Sequence, residues 1–222
     1  MEYDSVVFDQ DGVLTELTDE SVLKEGVRET FESHGVADPN PVHVDELTEP
    51  IGEITVEIVS ELCADYDLDP RTLWTERQRT LAELQRIEIR DGRKQLYGDV
   101  EHLHRSDLKM GIVSNNQQAT VEFVTEWFDL EDRFDTYYGV DPALTDLKNR
   151  KPDPHYLERA QRDLESTDPL YVGDSSTDIA AAHEAGIDVA LLRRDEDYDS
   201  VRRNEHATHR IASIREIGDL IE

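Results

Sequence analysis

Three short apolar runs in this sequence end abruptly in residues that can do chemistry. Val6-Val7-Phe8 ends in Asp9-Gln10-Asp11-Gly12, Gly111-Ile112-Val113 in Ser114-Asn115, and Pro169-Leu170-Tyr171-Val172-Gly173 in Asp174-Ser175-Ser176. Such runs read as buried parallel strands. In an open α/β sheet the carboxyl ends of the strands border the binding crevice. Asp9, Asp11, Ser114 and Asp174 are therefore expected to converge. Three carboxylates brought together repel and raise one another's pKa. A divalent cation removes that conflict. A carboxylate and carbonyl donor set suits Mg²⁺, which often completes its shell with phosphate oxygens.

The spacing of the first pair has a second use. Alternate residues of an extended segment point the same way, so Asp9 and Asp11 can address one substrate. One carboxylate can attack phosphorus as a nucleophile. The other can protonate the leaving oxygen and then deprotonate a water. Gly12 would let backbone N–H groups approach phosphate. Phosphoryl transfer also needs donors or positive charge around the equatorial oxygens. Ser114 can supply a hydroxyl and an N–H at a strand-to-helix junction. Lys151 can supply an ammonium group from Arg150-Lys151-Pro152-Asp153-Pro154, where the prolines stiffen the loop and open the next helix.

The elements that must position these residues follow from patterning. Asp188–Leu192 and His209–Ala212 read as further strands, and Thr136–Gly139 as a weaker one. Helical spacing appears in Ala119–Phe128 and in Asp178–Ala185, which Gly186 stops. Strands alternating with helices indicate an α/β fold with a parallel sheet. Residues 16–91 break that rhythm. Ser21–His34, the run Ile51, Ile54, Ile58, Leu62, Tyr66, and the run Leu73, Arg77, Leu81, Leu84, Ile87 after Pro70 all carry helical spacing. A helical insert after the first strand is expected, with Val36–Glu53 as loop or short turns inside it.

Composition sets outer bounds. The 222 residues carry 52 acidic and 23 basic side chains, a formal net charge of −29. A field of that sign repels nucleic acid and anionic membranes. The acids are dispersed and only five basic residues are lysine, a halophilic type of surface. The single cysteine, Cys63, excludes an intrachain disulfide and reads as a small core residue. No signal-like segment and no membrane-length apolar run is seen, so a cytoplasmic protein is expected. His102 and His104 read as exposed on a polar helix, and Trp74 and Trp127 as helix-packing residues.

With these residues in view, the sequence resembles the haloacid dehalogenase-like superfamily over essentially its whole length. Four motifs carry the resemblance. They are Val6-Val7-Phe8-Asp9-Gln10-Asp11-Gly12-Val13-Leu14, Gly111-Ile112-Val113-Ser114-Asn115, Lys151-Pro152-Asp153-Pro154 and Gly173-Asp174-Ser175-Ser176-Thr177-Asp178. The resemblance implies a Rossmann-like three-layer core from residues 1–15 and 92–222, with a helical cap over 16–91. It implies Asp9 as nucleophile and Asp11 as general acid/base. Asp9, Asp174 and the Asp11 carbonyl would hold Mg²⁺, with Asp178 behind them as a water-mediated partner or a partner of Lys151. Ser114, Asn115, Lys151 and Gly12 would bind the phosphoryl group. Gln10, Val13, Glu16 and Arg150 depart from residues common in the family, and none removes a catalytic group.

The implied reaction is Mg²⁺-dependent hydrolysis of a small phosphate ester, in the manner of phosphoglycolate phosphatases. The alternatives are a phosphomutase of the β-phosphoglucomutase type, a 2-haloacid dehalogenase, and a binding protein without activity. Asp11 argues against the dehalogenase, which has no alkoxide to protonate. Retention of Asp9, Asp11, Lys151 and Asp174 argues against the binding protein. Phosphonate hydrolysis would need a cap lysine, and Lys24 is the only one within 16–91. Substrate identity and oligomeric state are not legible.

Overall fold

The computed structural model of the protein describes residues 3–48, 54–103, 108–194 and 206–221. Six parallel strands form one sheet: β1 Ser5–Phe8, β2 Lys109–Gln117, β3 Thr136–Val140, β4 Pro169–Gly173, β5 Asp188–Leu192 and β6 His209–Ile211. Their order is β3-β2-β1-β4-β5-β6. The chain runs outward from β1 on one side and then restarts at β4 on the other. The carboxyl ends of β1, β2 and β4 therefore flank the point where strand order reverses, the usual place for a ligand crevice.

Alternation along the strands builds two cores. Val6 and Phe8, Leu170 and Val172, Ala190 and Leu192 face one side, with Val121, Phe134 and Ile217. Val7, Tyr171, Val189 and Leu191 face the other, with Leu157, Ala160, Ile179 and Ala182. The covering helices are α5 Gln118–Trp127 and α8 Ile217–Ile221 on the first face, α6 His155–Asp163 and α7 Ser176–Ala185 on the second. Burying both faces explains why the central strands read as continuous apolar runs. Full burial of a side chain such as Phe8 contributes about 1.5–3 kcal/mol. This is the expected α/β, Rossmann-like three-layer arrangement.

Among the described residues, four α-helices lie in the stretch between β1 and β2: α1 Glu20–Ser33, α2 Pro41–Thr48, α3 Val56–Ala64 and α4 Pro70–Arg90. Asp19, Thr55 and Asp69 cap α1, α3 and α4 by accepting backbone N–H groups of Ser21, Ile58 and Thr72. Their apolar faces meet in a third core of Val27, Phe31, Leu47, Val59, Leu62, Cys63, Leu73 and Trp74, joined by Leu144 and Leu147 from beyond β3. The chain enters and leaves this unit side by side. Glu16 N–H donates to the Gln95 carbonyl at 2.9 Å, and Tyr97 N–H to Leu14 at 3.0 Å.

Several local expectations shift. α2 occupies part of the stretch expected as loop, because Pro41 opens it, Asn40 accepts the Val42 N–H at 3.0 Å, and Val44 and Leu47 are buried. The second helical run starts later, at Val56. Ile51 and His104 lie outside the described residues. β2 runs three residues past Ser114, with a register shift between Val113 and Gln117. Trp74 is buried, whereas Trp127 is 47% exposed and stacks on Phe123 at the surface. No helix among the described residues is long and apolar enough to cross a membrane.

Candidate active site

Asp9 sits one residue past β1. Its Oδ1 accepts the Gln10 N–H at 2.7 Å and lies 3.0 Å from Lys151 Nζ. Asp174 sits one residue past β4, and its carboxylate rests against Gly12. A Cβ built on Gly12 would fall 2.0 Å from Asp174 Oδ2, and Gly12 has φ +82°. Gly12 thus provides clearance as well as a left-handed turn. Its N–H is committed to the Thr15 carbonyl at 2.8 Å. The tight turn thus engages the Gly12 donor within the loop.

Asp178, fully buried at the start of α7, organises the opposite wall. Its Oδ1 accepts from Lys151 Nζ at 2.7 Å and from the Tyr171 hydroxyl at 3.0 Å. Its Oδ2 accepts the N–H groups of Asp174 and Ser175 at 3.1 and 2.9 Å and the Ser175 hydroxyl at 2.5 Å. Ser175 caps α7 in return, completing a capping box. Oxygens of Asp9, Asp174 and Asp178 lie within 4.8 Å of one another. Asp178 is saturated by these five donors, so its place is behind the cluster, leaving Asp9 and Asp174 as the carboxylates open to a cation.

The electrostatics mark a deficit of positive charge. Burial pushes the Asp9 carboxyl well above the usual range, with Asp178 and Asp174 adding to it against the pull of Lys151. Burial and Asp178 push Asp174 up to about 7. Burial would raise Asp178 too, but Lys151 and the Ser175 donors outweigh it and hold it low. Among the described residues, Lys151 is the one ammonium group paired with this set. A divalent cation between Asp9 and Asp174 would remove the conflict, and the oxygen-only donors fit Mg²⁺.

The remaining predicted residues are divided. Ser114 is buried at the end of the apolar part of β2, and its Oγ accepts the Asn116 N–H at 3.1 Å. It does not cap α5, whose N-cap is Gln117. The Asn115 carboxamide donates to the Lys151 carbonyl at 2.9 Å and accepts the Lys151 N–H at 2.8 Å. That side chain holds the lysine loop in place. Arg150 is buried and reaches across to the inserted helices, donating to the Ile54 carbonyl at 2.7 Å.

Asp11 brings in residues that sequence reasoning missed. Its Oδ1 accepts from Lys94 Nζ at 2.8 Å, Thr15 Oγ1 at 2.9 Å and Gln10 Nε2 at 3.2 Å. Its Oδ2 accepts from Asn116 Nδ2 at 2.8 Å. Burial would raise this carboxyl, and Lys94 together with the Gln10 and Thr15 donors more than offsets it. Gln85 of α4 donates to Asn116 Oδ1 and Gln117 Oε1 at 2.9 and 3.1 Å. Neither Gln85 nor Lys94 lies in a motif. The one available signal was that lysine is scarce here, and it applied to Lys94 as much as to Lys151.

Comparison with known proteins agrees with this geometry. The family described as haloacid dehalogenase-like hydrolase matches residues 6–192. A pyrophosphatase, PpaX, of Halalkalibacterium halodurans is 30% identical over 209 residues, covering 89% of this chain and 88% of that protein. A phosphoglycolate phosphatase of Cereibacter sphaeroides is 36% identical over 93 residues, 42% of this chain and 41% of that one. Among solved structures, CbbY from Rhodobacter sphaeroides in complex with phosphate superposes with a TM-score of 0.67 at 20% identity, covering 97% of this chain and 96% of that one. At that identity the likeness speaks to the fold. The match over residues 6–192, with a relative similar across nearly its full length, makes this chain a phosphohydrolase that belongs to the haloacid dehalogenase-like hydrolases.

Proposed function

We propose that the protein is a Mg²⁺-dependent phosphatase acting on a small phosphate ester through an aspartyl-phosphate intermediate. The observation that carries this reading is the placement of Asp9, with Lys151 Nζ 3.0 Å from its Oδ1 and Asp174 beside it. A nucleophile that must approach an anion needs such positive charge around it.

Asp9, Asp174 and the Asp11 carbonyl would hold the ion. When bound, Mg²⁺ would neutralise the carboxylates and offset phosphoryl charge. Asp9 attacks phosphorus and the bond from phosphorus to the leaving oxygen breaks. The leaving oxygen takes the bonding pair and a proton from Asp11. Asp11 then accepts a proton from a water that attacks phosphorus, and the Asp9–phosphorus bond breaks. Lys151 and Ser114 hold the phosphoryl oxygens throughout. Residues 16–91 would act as a cap on a core of residues 1–15 and 92–222, excluding water from the crevice.

Relatives named for pyrophosphate and phosphoglycolate support a small anionic phosphate compound as substrate. The test is hydrolysis of a phosphomonoester panel, beginning with p-nitrophenyl phosphate, with and without Mg²⁺ at high salt. Turnover is expected with Mg²⁺ and lost in Asp9→Ala. Activity that survives that substitution would overturn the mechanism, and sugar-phosphate isomers among the products would identify a mutase instead.

A further inference from the structure

Lys94 is fully buried four residues beyond the end of α4. Burying an ammonium group costs several kcal/mol unless it is paired and hydrogen-bonded. Its Nζ meets three acceptors from three parts of the chain: Asp11 Oδ1 at 2.8 Å, Gln85 Oε1 of α4 at 3.0 Å, and Thr18 Oγ1 of the entering linker at 3.1 Å. An ammonium group has three protons, so these acceptors use it completely.

The consequence lies in the two oxygens of Asp11. Oδ1 is filled by Lys94, Thr15 and Gln10. Among the described residues, Oδ2 accepts from Asn116 alone. Asn116 Nδ2 is itself shared with Gln85 Oε1 at 2.8 Å. We propose that Lys94 is the positioning residue of the acid/base: it fixes the Asp11 carboxyl so that Oδ2 is the oxygen that handles the proton, and through Gln85 it ties that orientation to helix α4. The proposal rests on the phosphatase reading above. It assigns no contact between Lys94 and substrate.

A lysine that merely fills a polar seam and one that aims Asp11 differ in a measurable way. During transfer to Asp9 the leaving oxygen takes the electron pair of its bond to phosphorus. An alkoxide needs the Asp11 proton as that bond breaks, whereas p-nitrophenolate is stable without it. The ratio kcat/KM reports the steps through this transfer. Lys94→Met is therefore expected to lower kcat/KM for an alkyl phosphate by about 100-fold, within the range of general acid–base catalysis. The loss on p-nitrophenyl phosphate should be at least about tenfold smaller. Gln85→Leu keeps the lysine and removes its anchor on α4, and should show the same selectivity with a smaller loss.

Circular dichroism and thermal melting establish which variants fold, and if Lys94→Met does not, Gln85→Leu is judged by the same criterion. Equal fractional loss on both substrates, or wild-type values on both, would overturn the proposal. Wild-type protein that hydrolyses neither substrate with Mg²⁺ would refute the phosphatase reading itself, and the role of Lys94 would fall with it.

Discussion

Lys151 Nζ lies 2.7 Å from Asp178 Oδ1, and both side chains are buried. The pair makes Asp178 a support for the lysine that faces Asp9. Removing one member of a buried pair strands the other. Asp178→Ala is expected to destabilise the protein by about 3–5 kcal/mol, read from urea denaturation. Activity should fall at the same time, because Lys151 keeps Asp9, the Tyr171 hydroxyl and the Val113 carbonyl but loses one of the two carboxylates that fix its Nζ. A folded Asp178→Ala protein of unchanged stability would mean that Asp9, Tyr171 and Val113 suffice to hold Lys151.

The raised carboxyl of Asp174 gives a stability profile with a definite sign. Its value rises from an ordinary 3.8 to about 7 in the folded, metal-free protein. Between those values the folded state keeps a proton that the unfolded state has released. Stability must therefore fall as pH rises through that window. Asp9, also raised, acts in the same direction. Asp11 and Asp178 are lowered, so their contributions change only below the ordinary carboxylate range. In EDTA, the urea midpoint should drop from pH 5 to pH 7.5, and Asp174→Asn should drop less. Mg²⁺ binds the ionised form, so adding it should restore most of the midpoint at pH 7.5. A midpoint that ignores Mg²⁺ would remove the case for a metal at this place.

Much of this arrangement was legible in sequence, for a physical reason. Strands buried on both faces must be apolar throughout, so the change to Asp9, Ser114 or Asp174 stands out sharply. The polar seam under α4 gives no such contrast. Gln78 and Gln85 look like part of a solvated helix face, yet they are buried because that face packs toward Asn116 and Gln117 at the extended end of β2. Nor can periodicity reveal that Lys94, past the helix end, turns inward. α2 was hidden for another reason: it is only eight residues long in an acid-rich stretch, although Asn40-Pro41 is a fair start signal.

Gly12 offers a test of the crevice floor. Alanine there would meet two obstacles, a φ of +82° and the Asp174 carboxylate at 2.0 Å from the new Cβ. The backbone strain should cost about 1–3 kcal/mol. The displaced carboxylate should weaken Mg²⁺, so the activating Mg²⁺ concentration should rise by about tenfold or more, as an outlay of over 1.4 kcal/mol implies. Unchanged Mg²⁺ activation in Gly12→Ala would show that Asp174 does not depend on this clearance.

The net charge of −29 predicts how the whole molecule responds to salt. Like charges spread over the surface destabilise the compact state by mutual repulsion. Screening relieves this as the Debye length falls from about 30 Å at 0.01 M to about 3 Å at 1 M salt. The melting temperature should therefore climb with KCl, most steeply below about 0.3 M, where the screening length changes fastest. Screening and salting-out can be told apart by the anion. At low ionic strength, KCl and potassium sulfate should act alike when matched for ionic strength, and sulfate should pull ahead only at higher concentration. A melting temperature flat across the low-salt range would show that the dispersed acids do not strain the fold.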